Sequence, residues 1–395
     1  MIKFSLHRCI LFSSFIASYI LMQPYAMAET SVNQKMIRQT MNAFMQEYQI
    51  PGAAVAVIDH GKSKVYVFGL ADKKTKKPVT SDTVFEIGSL TKLFTTLLFS
   101  EEINQHRLKM SDKLTQYISL LADNKNLSQI TLEQLATYTG SLPFNAPDSV
   151  KTEMQLQHYL MTWQPENPIG TVWQYSNMSI GLLGKVLQIQ NQHYIEQLYQ
   201  QAIFSPLGMT STSITLSPQV KKARAQGYSD DGSPAKASNT WLFPAAGAGK
   251  STIRDLSHFL AAAVGLSNTP KNIRLAMQIA QTPRASMGNV SQAFSWQLTA
   301  LNNPQLLQAS ENMNMSATPI QWLPAAEQHY NPDVLIDKTG ATYGFRAYIA
   351  VIPSQQSGIV ILTNRYVSNG AIVNVGRNIL VALDEGQNTL ASPRQ

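Results

Sequence analysis

The chain has almost no cysteine. The single one, Cys9, lies within the first 28 of 395 residues, a stretch that reads as an export leader. Lys3 and Arg8 flank a basic start, an apolar run covers 10–22, and Ala26-Met27-Ala28 offers a small-x-small cleavage site. Cleavage near Ala28 would send a mature protein, residues 29–395, to the periplasm or the medium without a disulfide, a thiol nucleophile or a thiolate metal site. The apolar run is too short for a comfortable membrane span, and Cys9 follows Arg8 rather than a lipid-attachment pattern, so no stable membrane anchor is expected. Metal-binding patterns are missing too: the 7 histidines form no His-x-His or His-Glu-x-x-His pair, which predicts no metal and no cofactor. Charge is sparse, at 14% of residues with a formal net of +7. The lysine group Lys73-Lys74 with Lys76-Lys77 flanks a turn and has no interleaved aromatics, so it reads as a solvated loop and no nucleic-acid partner is expected. Internal repeats, low-complexity tracts and linkers are absent as well.

What is present is strand-like sequence at both ends. Apolar residues Met36, Ile37, Met41, Phe44 and Met45 recur at helical spacing over 32–48, until Pro51-Gly52 breaks the pattern. Residues 53–59 and 64–69 are valine-rich and surround His60-Gly61, the signature of a β-hairpin. Residues 344–352 and 358–364 read as two further strands, followed by an amphipathic helix over 372–383. These patterns predict an α+β fold, in which an antiparallel sheet is flanked by N- and C-terminal helices and completed by a mostly helical lobe. The expected domain is discontinuous, with a sheet lobe at about 29–88 and 320–395, a helical lobe at about 89–319, and a cleft between them as the default site.

Three short motifs fall along this frame. Ser89-Leu90-Thr91-Lys92 opens an apolar helix, and the three-residue spacing puts lysine beside serine on one helix face. At a helix start the partial positive charge disfavours a protonated lysine, and a neutral amine can accept the serine proton. The same spacing also fits an N-cap serine followed by a surface lysine. Tyr175-Ser176-Asn177 precedes another apolar helix. Its phenol, made more acidic by nearby lysines, is a candidate proton shuttle, and Asn177 can hold Lys92 and a substrate amide; equally, the two could be a packed aromatic and a cap. Lys338-Thr339-Gly340 lies just ahead of the C-terminal strands, where glycine permits close approach and the polar pair suits a carboxylate.

The order Ser-x-x-Lys, Tyr-x-Asn, Lys-Thr-Gly in an exported chain resembles the class C β-lactamases of the serine β-lactamase and penicillin-binding-protein superfamily. Further similar stretches are Ile50-Pro51-Gly52-Ala53-Ala54-Val55-Ala56-Val57-Ile58, Gln134-Leu135-Ala136-Thr137-Tyr138-Thr139 and Asn364 after Ile359-Val360-Ile361-Leu362. The resemblance implies a monomer that opens the lactam ring of penicillins and cephalosporins through an acyl-enzyme on Ser89, with Lys92 and Tyr175 handling protons. It implies that Lys338 and Thr339 hold the substrate carboxylate or assist Tyr175, with Gly340 beside them and Asn369 as a further carboxylate contact. Asn177 and Asn145 would meet the side-chain amide, and the backbone N–H groups of Ser89 and Ala341 would form the oxyanion hole.

The sequence departs from the family pattern in places. Gly247 or Ala248 stands where the family carries a cleft-wall tyrosine, Asp337 where it often has histidine, Tyr343 in place of a glycine, and Ile372 where it can place an arginine. Near Gly140-Ser141 the chain is one residue short. Gly247-Ala248-Gly249-Lys250-Ser251-Thr252 resembles a phosphate loop but has Pro244 where that pattern needs glycine. Competing readings are a D,D-peptidase or penicillin-binding protein, a carboxylesterase of the same fold, and a catalytically idle wall-binding protein.

Overall fold

The computed structural model describes residues 33–238, 242–307 and 317–391, with the backbone alone for 384–391. The leader and its cleavage site lie outside the described residues. Ten strands form one antiparallel sheet. Its centre is built from β1 (Gly52–Asp59) and β2 (Lys62–Asp72), with β3 (Val334–Thr342), β4 (Phe345–Ile352) and β5 (Ser357–Thr363), in the order β3-β4-β5-β1-β2. Ala53 pairs with Thr363 and Val57 with Ile359, so the two ends of the chain meet in the middle of the sheet. The hairpin expected at His60-Gly61 is present. Both residues take positive φ, 46° and 80°, as a two-residue turn matched to strand twist requires.

Both faces of the sheet are covered, which explains why β1 is buried along nearly its whole length rather than alternating with solvent. Ala53, Val55 and Val57 face one core, together with Ile37, Met41 and Phe44 of the first helix, α1 (residues 33–47), and Ile372, Ile379 and Leu383 of the last. Ala54, Ala56 and Ile58 face the other core, which is continuous with the helical lobe. That lobe is organised around α2 (Thr91–Asn104), where all but two residues are buried. A helix enclosed on every side needs partners for its polar groups. Thr95 Oγ1 donates to the Ala245 carbonyl at 2.6 Å, and Thr96 Oγ1 donates to that of Phe294 at 3.1 Å. Phe94 meets Phe204 and Phe259 edge-on, each at 5.0 Å, contacts worth about 0.5–1.5 kcal/mol beyond area burial.

Two expectations need correction. The sheet reaches further into the middle of the chain than the boundary near 320: Ala285–Met287, Val290–Gln292 and Gln297–Ala300 extend it outward from β3. These strands are only 3 or 4 residues long, too short for a period-2 pattern to stand out. In addition, Lys338-Thr339-Gly340 sits inside β3, not ahead of the strands. The segment before it, residues 334–337, mixes apolar with charged residues because Asp337 is buried in an ion pair with Arg377 at 2.7 Å and accepts a hydrogen bond from the Tyr348 hydroxyl at 2.7 Å.

Asn364 fastens the sheet at its centre. Its Oδ1 accepts the Gly52 N–H at 2.7 Å, and its Nδ2 lies 3.0 Å from the Leu70 carbonyl and 3.1 Å from that of Gln226. Asn364→Ala would leave these buried groups unpaired at about 1 kcal/mol or more each. A loss of about 2–4 kcal/mol in denaturant-unfolding stability is expected, with far-UV circular dichroism unchanged below the transition.

Candidate active site

Ser89 ends up at the mouth of the cleft because of two glycines. It lies in a short 3₁₀ turn, Gly88–Leu90, that leads into α2. Gly88 has φ +49°, and a Cβ there would sit 2.3 Å from the Ala341 carbonyl oxygen and 2.6 Å from its nitrogen. From the other side, a Cβ on Gly340 would sit 2.1 Å from the Ile87 carbonyl oxygen. The turn and β3 therefore touch backbone to backbone, which puts the backbone of Ser89 next to that of Ala341. Thr91 Oγ1 closes the turn by donating to the Gly88 carbonyl at 2.6 Å and accepting the Gly249 N–H at 2.9 Å.

Lys92 is fully buried one turn into the helix system. Its Nζ is 3.0 Å from Ser89 Oγ, 2.6 Å from Asn177 Oδ1 and 2.6 Å from the Ala246 carbonyl. Burial, and next to it the ammonium of Lys338, push its pKa well below the usual lysine range. In its neutral form the amine has two N–H bonds and one lone pair. The two carbonyl-type oxygens take the two N–H bonds, and the lone pair is left for the Ser89 hydroxyl. The depressed pKa traces to burial and Lys338 rather than to the helix end.

Tyr175 and Asn177 stand at the start of α3 (Asn177–Asn191), whose cap is Ser176: its Oγ accepts the Ser179 N–H at 2.9 Å and donates to the Pro143 carbonyl at 2.6 Å. The Gln174 N–H reaches the Tyr138 carbonyl at 2.9 Å and the Asn177 N–H that of Phe144 at 2.8 Å. These bonds zip two loops together and bring Asn145 Oδ1 within 2.9 Å of Asn177 Nδ2. Tyr175 is hydrogen-bonded to Ser89, and its ring lies 4.9 Å from both the Lys92 and the Lys338 Nζ. The expected acidification is reversed: burial raises the phenol's pKa, and the Ser89 hydrogen bond offsets only part of this. Burial outweighs whatever the two lysines offer the phenolate, and it lowers their own pKa values as well. Lys338 is driven down to about 7 by burial, opposed by the Asp337 carboxylate, and its Nζ donates to the Thr339 carbonyl at 2.7 Å.

The structure thus gathers Ser89, Lys92, Tyr175, Asn177, Asn145 and Lys338, with the backbone at Gly340 and Ala341. No side-chain hydrogen bond ties Thr339 or Asn369 to that group among the described residues. Strand alternation turns Thr339 away from Lys338 to the face covered by α4 (Asn369–Ala391). Asn369 opens that helix, and its Oδ1 is buried without a hydrogen-bond partner. The Ala246 carbonyl is a functional group that motif reading missed. Its one sequence signal is the small-residue run from Pro244 to Gly249, which lets that backbone approach: a Cβ on Gly184 would meet Ala245 Cβ at 2.4 Å. The run forms a short helix, Pro244–Gly247, followed by strand Lys250–Thr252, which is not the strand-loop-helix of a phosphate loop.

A serine beside a buried amine whose pKa is lowered, on a turn packed backbone to backbone against the strand that carries Ala341, is equipped for acyl transfer. Gly340→Ala would push β3 off the turn and spoil one donor. Labelling of Ser89 by a fluorophosphonate probe is expected to slow about 10²-fold or more, the cost of a lost oxyanion donor, in a protein that still unfolds cooperatively.

Residues 37–384 match the family model described as Beta-lactamase. A beta-lactamase of Escherichia coli strain K12 is 35% identical over 356 residues, covering 88% of this chain and 93% of that protein. Among solved structures, a class C beta-lactamase in complex with cefoxitin superposes with a TM-score of 0.84 at 29% identity, covering 89% of this chain and 99% of the other. A beta-lactamase/D-alanine carboxypeptidase from Pseudomonas syringae gives a TM-score of 0.84 at 30% identity with the same coverage.

Proposed function

This chain belongs to the beta-lactamase family, and from that premise we propose how its residues divide the work of opening a lactam ring. It is a serine β-lactamase of the class C type, acting on penicillins and cephalosporins. Ser89 Oγ attacks the lactam carbonyl while its proton passes to the lone pair of Lys92 Nζ. The developing oxyanion faces the N–H groups of Ser89 and Ala341. Tyr175 then delivers its proton to the ring nitrogen as the C–N bond breaks and takes back the proton held by Lys92, leaving an ester on Ser89 that water hydrolyses. Asn177 and Asn145 receive the amide of the acyl side chain, and Thr339 and Asn369 lie toward the substrate carboxylate.

The observation that carries this division is the hydrogen-bond set of Lys92, two acceptors and a hydroxyl around one buried amine. The raised pKa of Tyr175 supports the same assignment, since a neutral phenol is a proton donor and not a base. Export to the periplasm or medium as an unanchored monomer completes the reading. It is supported by the leader-like composition of residues 1–28, and no helix among the described residues is long and apolar enough to cross a membrane. The structural neighbour from Pseudomonas syringae, a beta-lactamase/D-alanine carboxypeptidase, favours one second reading: a D,D-peptidase in which the same acyl-enzyme forms but lactams leave slowly.

The mature protein is expected to turn over a chromogenic cephalosporin many times per Ser89. A single stoichiometric burst with D-alanine release from a stem peptide would replace this reading by the second. Ser89→Ala should lower kcat by about 10⁴-fold or more with substrate binding retained in equilibrium titration.

The two lysines set opposite limbs of the pH profile. As pH falls, Lys92 takes up a proton and ceases to be a base, so kcat/KM drops on the acid side. As pH rises through about 7, Lys338 loses the charge that favours electron density on the Tyr175 oxygen and the oxyanion, so kcat/KM drops on the alkaline side as well. Lys338→Arg, which keeps its charge, should remove the alkaline limb from the range near neutrality.

A further inference from the structure

The stretch Gln134-Leu135-Ala136-Thr137-Tyr138-Thr139 has no part in the scheme above, yet it carries a strained residue beside the site. Tyr138 is 1% exposed and has φ +61°, a left-handed conformation that bulky residues seldom take. Strain of this kind persists only where the surroundings fix it from several sides, and here they do. The Tyr138 hydroxyl donates to Ser295 Oγ at 2.8 Å. Ser295, itself at φ +60°, returns its N–H to the Ala136 carbonyl at 3.0 Å.

On its other side this anchored residue holds the turn that presents Tyr175. The Tyr138 carbonyl accepts the N–H of Gln174, one residue before Tyr175, at 2.9 Å, and the Thr139 carbonyl accepts that of Gly170 at 2.8 Å. The Tyr138 ring packs against the Tyr175 ring with centroids 4.9 Å apart and a tilt of 44°. Trp173 meets the Tyr138 ring edge-on at 6.2 Å, and its indole N–H donates to Gln292 Oε1 at 2.9 Å. A tyrosine side chain turns about two bonds, and a ring fixed against it takes that freedom away. Tyr138 is too deeply buried to touch a substrate, so whatever it does to the reaction it does through Tyr175.

We infer that Tyr138 is a positioning residue for proton delivery: anchored at Ser295, its ring holds the Tyr175 phenol in line with the leaving nitrogen. The inference rests on the lactam-hydrolase reading and adds to it the group that aims the proton donor. A reacting group displaced by about an ångström loses much of its effect. None of the hydrogen bonds of Lys92 to Ser89, Asn177 and Ala246 involves Tyr138, so attack by Ser89 does not depend on it. Departure of the nitrogen does, and a leaving group that needs no proton escapes the dependence.

The test compares, on the mature enzyme, a penicillin, whose ring nitrogen needs a proton to leave, with a p-nitrophenyl ester of the same acyl side chain, whose leaving group departs as the anion. Tyr138→Leu should cut kcat/KM for the penicillin by about 10-fold or more, part of the roughly 10²–10⁴-fold that a positioned proton donor supplies, with the ester changed less than about 2-fold. Tyr138→Phe keeps the ring and loses the anchor, and it should recover part of the loss. Equal losses on both substrates, or no loss on the penicillin, would overturn the assignment and leave Tyr138 a packing residue. If Tyr138→Leu does not fold, Ser295→Ala decides, since it removes the anchor alone. A loss of about 3-fold or more, the scale of one hydrogen bond, confined to the penicillin upholds the assignment, and an equal change on both substrates or none overturns it. A wild type that is acylated by the ester but leaves the penicillin intact would sink the lactam-hydrolase reading itself, and this one with it.

Discussion

Backbone contact between the Gly88–Leu90 turn and β3 is the constraint on which the site depends. A side chain at either Gly88 or Gly340 would drive the two apart, because each hypothetical Cβ falls well inside van der Waals distance of main-chain atoms opposite. With the contact made, three things follow without further adjustment. The serine hydroxyl stands within reach of Lys92, the Ser89 and Ala341 backbones lie side by side, and α2 leaves the turn in the direction that buries Lys92 among Asn177 and Ala246. Hydrophobic burial supplies most of the stability of both lobes, but it does not specify this approach. Two absent side chains do.

Electrostatics at the site works by withholding partners. Lys92 and Lys338 are both buried, and neither has a carboxylate at hydrogen-bonding distance: Lys92 meets an amide oxygen and a backbone carbonyl, and Lys338 a backbone carbonyl. Were residue 177 an aspartate, the Coulomb attraction would hold a proton on Lys92 and silence it as a base. An amide of the same shape fixes the amine just as firmly without paying it a charge. Asp337 shows the tuning available from a distance, since it raises the pKa of Lys338 while spending its own hydrogen bonds on Arg377 and Tyr348.

Much of this was legible in the sequence, and the part that was not has physical reasons. The hairpin at His60-Gly61, the long helices and the pairing of both chain ends in one sheet follow from local turn chemistry and apolar periodicity, which act over a few residues. The three motifs could be read because each carries unusual residue types at fixed spacing. The outer strands at 285–300 were hidden because strands of three or four residues leave too little pattern. The buried interior of β3 was masked by Asp337, a charge whose partner lies 40 residues away in α4. The direction of the Tyr175 shift was misread because proximity to lysines can be guessed from motifs, whereas desolvation depends on everything packed around a group. The Ala246 carbonyl escaped for a related reason: what a main-chain oxygen does is decided by where the fold puts it.

The placement of β1 has a consequence for how the molecule comes into being. On one side it pairs with β2, its neighbour in sequence, but on the other it waits for β5, so that Ala53 meets Thr363 only when nearly all of the polypeptide has been made. An emerging chain can form its first hairpin early, yet the middle of the sheet stays open until translation is almost over. Such a nascent chain remains threadable through a narrow channel for most of its synthesis, and it locks into shape only after its final strand arrives.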